Sequence, residues 1–271
     1  MKTTFYVALC CCVLALPLCA KPTPTRDSNE KKQKENPPAK TAEMPVATNG
    51  VQCQWFGHSF IYLTSQSGVR VAMDPFSEEI SLPFPKQLHA DVVLISYEGL
   101  DRSGGERLFG APQIFRSVTG IGANRASGVL FRGIETYRDS SRGKNLGRNT
   151  VYVFELDNLR FCHLGGIGYP LSRQNVDDIG RVDVLFLPVG NQILSVDELR
   201  EMASHLEAKW IVPITYYSET GGFKDLRRIE EFLEDCKLKA GIPIKQIDAN
   251  DFIFRVKEMP DQPTILLLQK P

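Results

Sequence analysis

The sequence predicts an α/β protein built as a four-layer αβ/βα sandwich, and three features predict it. Within residues 50–271, two stretches of short apolar runs are each followed by material of helical period, the pattern of strand-rich halves carrying helices outside. The run Val92-Val93-Leu94-Ile95 has no polar alternation, which marks a strand covered on both faces. Val196, Leu199, Met202 and Leu206 fall at helical spacing behind Ser195, a residue suited to cap a helix N-terminus.

Taken in order, residues 51–55, 60–64, 69–73 and 92–96 read as strands, being short apolar stretches separated by Gly, Ser, Pro and Asp. The second half repeats the theme at 129–131, 151–155, 159–163 and 182–187. A loop rich in Gly, Arg and Asn joins the first two of these, and the Asp157-Asn158 turn joins the next two. A helix follows over 195–206, then a strand at 210–213 and a second helix over 226–236 with Ile229, Phe232 and Leu233 inward. Residues 244–247, 252–256 and 264–268 are the closing strands.

The N-terminus has a different character. Lys2 precedes an apolar run over residues 5–18, and Leu18-Cys19-Ala20 supplies residues for cleavage, so residues 1–20 read as an export signal. The run is short for a membrane span, which needs ~20 apolar residues, and it contains Pro17. Cleavage after Ala20 is the expectation; lipidation of Cys19, as at a bacterial lipoprotein site, is the second reading, disfavoured by the large Leu18 before it. Export predicts a periplasmic or extracellular location, and a membrane attachment only if Cys19 carries lipid. Residues 21–49 are rich in Lys, Glu, Pro, Thr and Asn, bury too little apolar surface to offset their ordering entropy, and are expected to be a disordered linker.

Composition excludes several function classes. Taking Lys2 away with the leader from 32 basic residues against 32 acidic ones leaves a net charge of −1, which implies no polyanion partner, and no nucleic-acid binding is expected. Of the 7 cysteines, four lie in the leader; Cys53, Cys162 and Cys236 match no metal knuckle, allow one disulfide but no disulfide framework, and are expected as buried free thiols. Glycine-rich phosphate loops and nucleotide fingerprints are missing.

Seven local signatures occur in one order: Gly57-His58-Ser59, Met73-Asp74-Pro75-Phe76, the segment 90–96, the segment 147–152, His163-Leu164-Gly165, the segment 182–190, and Val212-Pro213-Ile214. This succession resembles that of the metallo-β-lactamase superfamily, and most closely its ascorbate-phosphate-lactonase-like, metal-dependent hydrolases, over residues 51–217. The resemblance implies the sandwich fold and a site for zinc or manganese. In that family a His-x-His-x-Asp-His motif follows the first long buried strand. Aligned from Ser96, this chain has Tyr97 and Gly99 for the first two histidines, keeps Asp101, and has Arg102 for the last. A further ligand position falls at Arg138, the bridging aspartate at Gly166 and the final histidine at Thr215, so Asp101 alone remains of the implied set.

The residues themselves lead to the same expectation. The chain has 4 histidines, none in a His-x-His or His-x-x-x-His pair, whereas catalytic zinc needs several imidazole or carboxylate ligands converging on one cavity. A guanidinium at coordination distance repels a cation by several kcal/mol at intermediate dielectric. No metal or other cofactor is therefore expected. If the fold holds, His58, Asp74, Asp101, Arg102, Arg138, His163 and Thr215 converge on the former metal cavity. Two readings of the arginines stay open: they hold a small anionic ligand, or they pair with Asp74, Asp101 and Asp139 and satisfy a polar interior. No catalytic residue is assigned; Cys162 and His163, as strand neighbours, point to opposite faces. The expected function is that of an exported, degenerate member of the hydrolase fold that binds a ligand or a protein partner. The alternatives are an active lactonase- or esterase-like hydrolase, with an atypical metal site or water activated by Asp101 or His163, and a tethered scaffold.

Overall fold

A computed structural model describes residues 49–271; the predicted export signal and most of the predicted linker lie outside the described residues. The strands are β1 (Val51–Trp55), β2 (Ile61–Thr64), β3 (Arg70–Met73), β4 (Val92–Ile95), β5 (Gln113–Arg116), β6 (Gly122–Ala126), β7 (Val129–Tyr137), β8 (Arg148–Leu156), β9 (Leu159–His163), β10 (Val184–Pro188), β11 (Trp210–Ile214), β12 (Ile244–Ile247), β13 (Asp251–Phe254) and β14 (Thr264–Leu268). The helices are α1 (Arg173–Ile179), α2 (Val196–His205) and α3 (Ile229–Ala240).

Two mixed sheets result, ordered β13-β1-β2-β3-β4-β5 and β12-β14-β11-β10-β9-β8-β7-β6. Hairpin-linked strands pair antiparallel, while β3-β4-β5 and β9-β10-β11 pair parallel. The predicted strand reading of 252–256 holds as β13, but it leaves the second sheet and pairs with β1 of the first. The Asp157-Asn158 turn has both residues at positive φ, 49° and 63°, as a two-residue hairpin requires.

The lack of polar alternation in the first sheet has a direct cause. Ile61, Leu63, Val71, Met73, Val92 and Leu94 face the core shared with the second sheet. Their alternates Tyr62, Ala72, Val93 and Ile95 face a second apolar cluster with Phe60, Phe76 and Leu88. That outer cover is built by loop residues and a 3-10 turn at Gly105–Arg107, with Phe60, Phe76 and Phe84 in mutual aromatic contact at 5.5–5.8 Å. Helices cover the second sheet. Ser195 caps α2 through a reciprocal box with Glu198 and buries Leu199, Met202 and Ala203.

The sheets are joined through buried groups. Phe161 on β9 meets Phe254 on β13 edge to face at 5.8 Å. The Tyr152 hydroxyl shares its one proton between the carbonyls of Ile95 at 3.1 Å and Phe115 at 3.2 Å, and Thr150 N–H donates to Ser96 O at 2.8 Å. These bonds tie the ends of β4 and β5 to β8, and the carboxyl ends of the parallel strands β3, β4, β9, β10 and β11 open onto one edge of the sandwich, the place where open α/β sheets present ligand crevices.

Candidate functional site

At that edge the backbone turns left-handed at three strand ends. His58, Asp74 and Thr215 have φ of 48°, 47° and 54°, and for the β-branched Thr215 this is strained geometry. The kinks come just before β2, after β3 and after β11, and all three residues are buried. Trp55 Nε1 and the Thr215 N–H both donate to the His58 carbonyl, at 3.1 and 2.8 Å, and hold two of the kinks together.

Asp74 accepts from Ser96 N–H and Ser96 Oγ, both at 2.7 Å, and from the Arg102 guanidinium. Asp101 Oδ2 faces three donors or potential donors: Tyr97 OH at 2.7 Å, His58 Nε2 at 3.0 Å and Arg102 Nε at 3.1 Å. Arg102 is only 2% exposed, so one guanidinium bridges two buried carboxylates. Burial opposes each charge, yet Arg102, with His58 and Tyr97, holds the Asp101 carboxyl below the usual carboxylate range. Burial likewise opposes the charge on Arg102, which Tyr97, Asp74 and Asp101 together keep firmly in place.

His163 sits beneath, 1% exposed. Gly165 N–H donates to its Nδ1 at 3.0 Å, which leaves the proton on Nε2, directed at Ser59 O at 3.3 Å and Asp74 Oδ2 at 3.4 Å. Burial and Arg102 outweigh Asp74 and push the imidazole pKa down to about 4. Ser59 Oγ and Thr215 Oγ1 share a hydrogen bond of 2.8 Å.

Tyr97 is the residue around which the rest is arranged, and the sequence reading named it only as a substituted ligand. Its ring has the Arg138 guanidinium 3.5 Å from the centroid and that of Arg102 at 4.8 Å. It lies against two glycines: a Cβ at position 99 would come within 2.7 Å of the ring, and one at 166 would collide with it. The ring therefore fills the space that an aspartate at 166 would need. Arg138 donates to Leu146 O at 2.8 Å and pairs with no carboxylate among the described residues. Asp139 is engaged elsewhere, accepting from the backbone N–H groups of Ser141, Gly143, Asn145 and Leu146 at 2.6–3.1 Å.

Thus all seven candidate residues are brought together. His58, Asp101, Arg102, Arg138 and Thr215 line a cleft of about 450 Å³, and Asp74 and His163 form its floor. Of the two readings left open for the arginines, pairing with carboxylates describes Arg102, whereas Arg138 has no carboxylate partner among the described residues. Leu146, Ile193 and Phe223 also line this cleft, and nothing in the sequence pattern distinguishes them from other loop residues. Cys53, Cys162 and Cys236 are free and buried, and burial pushes their thiols well above the ordinary range, so none is poised as a nucleophile.

A family profile described as the β-lactamase superfamily domain matches residues 52–215. The chain belongs to the β-lactamase superfamily. Among solved structures, this superfamily member is similar to a candidate Zn-dependent hydrolase of the metallo-β-lactamase superfamily from Thermotoga maritima, at 28% identity and TM-score 0.64, over 82% of this chain and 100% of that one. It is also similar to a candidate metal-dependent hydrolase from Parabacteroides distasonis (20% identity, TM-score 0.55, 72% and 91% covered). A metallo hydrolase from Ignicoccus hospitalis gives 18% identity and TM-score 0.52, with 82% and 95% covered. The last two show the fold alone. None of the curated proteins matches the sequence.

The metal implied by the superfamily does not fit the residues present. At the ligand positions stand Tyr97, Gly99, Arg102, Arg138, Gly166 and Thr215. The two remaining carboxylates are tied to a guanidinium, and the acceptor nitrogen of His163 is taken by Gly165 N–H. A cation there would have to displace Arg102 from a fully buried ion triad.

Three outcomes test this superfamily member's site. Arg102→Ala leaves two buried carboxylates without a cation and is expected to cost about 3–5 kcal/mol in chemical denaturation, whereas Arg102→Met combined with Asp74→Asn and Asp101→Asn loses less. In the pH dependence of stability, unfolded His163 takes a proton near 6.5 and the folded imidazole only near 4. The unfolded state therefore binds more protons in that window, and stability falls by about 3 kcal/mol as pH drops through it, a component absent in His163→Gln. Gly166→Asp alone should lose about 1–3 kcal/mol through overpacking against Tyr97, and Tyr97→Ala in the same chain should restore part of it, with the coupling read from a double-mutant cycle.

Proposed function

We propose that this protein is an exported member of the superfamily that has given up metal-dependent hydrolysis and uses the retained cleft to bind a small anionic ligand. The observation that carries the reading is the buried bridge of Arg102 between Asp74 and Asp101, where a protein-borne guanidinium sits between the two carboxylates and offsets one of their two charges. Arg138 in the same cleft makes no ion pair among the described residues, and an anion is the natural complement of its guanidinium.

Neither Asp101 nor His163 is suited to act as the general base of a metal-free hydrolysis. His163 Nδ1 already accepts from Gly165 N–H, and Asp101 is too weak a base when held by Arg102, His58 and Tyr97. Export rests on the leader-like residues 1–20, with a periplasmic or extracellular destination and membrane attachment only through a lipid on Cys19.

Elemental analysis of the purified protein, with ester and lactone hydrolysis assayed with and without chelator, tests the reading. The expected result is zinc and manganese far below stoichiometry and no chelator-sensitive turnover. Near-stoichiometric metal together with hydrolysis lost in chelator would overturn it.

A further inference from the structure

Three loops meet at the mouth of the cleft, and each exposes one large apolar side chain there. Leu146, on the loop after β7, is 46% exposed; Ile193, after β10, is 41% exposed; Phe223, after β11, is 41% exposed. Apolar residues gathered around a polar pocket mark a binding surface when they are held in place, because their exposure then gains the fold nothing.

They are held in place. Asp139 gathers four backbone N–H groups of residues 141–146 and so sets Leu146. Asn191 donates to Ile167 O at 3.0 Å and accepts from Ile193 N–H at 2.8 Å. Gln192 donates to Asp225 O at 2.6 Å, and Arg227 donates to the carbonyls of Val189 at 3.0 Å and Leu194 at 2.8 Å, which ties the Ile193 and Phe223 loops to each other. Phe223 also lies edge-on to the His58 ring at 5.6 Å. A rim ordered before a ligand arrives loses little entropy on binding.

The charge at the base of the cleft sets the other end of the ligand. Arg102 is matched by Asp74 and Asp101, whereas the Arg138 guanidinium lies over Tyr97 with one N–H given to Leu146 O, leaving in-plane donors for a planar, bidentate acceptor. One guanidinium with no carboxylate partner among the described residues matches a monoanion better than a doubly charged phosphate monoester.

We infer that the cleft takes an amphipathic carboxylate, its carboxylate on Arg138 and its aliphatic or aromatic body between Leu146, Ile193 and Phe223. This rests on the anion-binding reading of the same cleft and adds the chemical class of the ligand. Isothermal titration of the purified protein with decanoate, acetate and decanol separates the two. Decanoate is expected to bind at least about tenfold more tightly than either, since only it satisfies both the guanidinium and the apolar rim. Arg138→Gln is expected to bring decanoate down to the level of decanol, and Ile193→Ser with Phe223→Ser to bring it down to the level of acetate. Equal affinity for decanoate and acetate, both lost in Arg138→Gln, overturns the amphipathic assignment and leaves a small-anion site standing. Decanol binding as tightly as decanoate, or no binding of any of the three, overturns this inference and the anion reading together.

Discussion

The polar heart of this molecule depends on one guanidinium. Arg102 lies between Asp74 and Asp101 with almost no access to water, and the rest of the site is arranged to make that burial tolerable. Ser96 donates twice to Asp74, Tyr97 donates to Asp101, and His58 faces Asp101 at hydrogen-bonding distance. Without these bonds the desolvation of three charges would exceed their mutual attraction.

The substitutions at the ligand positions form a matched set. Tyr97 brings a ring into the cavity, Gly99 and Gly166 clear space on either side of it, and the ring in turn supports the guanidiniums of Arg102 and Arg138. Each change is intelligible only with the others present. A single reversion toward a metal ligand, such as an aspartate at 166, meets the Tyr97 ring before it could meet a metal. Distance from a metallohydrolase is thus measured in packing as well as in ligand count.

Much of this was legible in the sequence because the signatures that fix the fold also carry the site. Asp74 follows and His163 ends an apolar run whose strand identity is clear, so placing the strand places the residue, whereas Asp101 lies in the loop beyond β4 and is placed by the motif aligned from Ser96. Strands β5 and β6 were not legible, since Gln-Ile-Phe-Arg and Gly-Ala-Asn-Arg-Ala show neither alternation nor a continuous apolar run and become strands by pairing with β4 and β7. Helix α1 escaped for a related reason, as Ile179 is its single buried residue. Within the site, the split between a paired Arg102 and an unpaired Arg138 could not be read in advance. It turns on Asp139 spending its lone pairs on a local loop, a choice made by backbone geometry and not by residue type.

Two features argue that the cleft is more than filled space. A polar interior that served packing alone would be matched or bettered by apolar residues of similar volume, which avoid the desolvation that the ion triad carries. It would also have no use for left-handed backbone at His58, Asp74 and Thr215, which costs of order 1–3 kcal/mol where a β-branched residue is involved. The shared core between the sheets supplies the stability that tolerates both, and the result is a set of side chains turned toward one opening. Around that opening the loops are tied to one another by Gln192 and Arg227, and the apolar groups they carry stay exposed. Strain at the floor and order at the rim act on the same volume, and a ligand that meets both is the simplest occupant that accounts for them together.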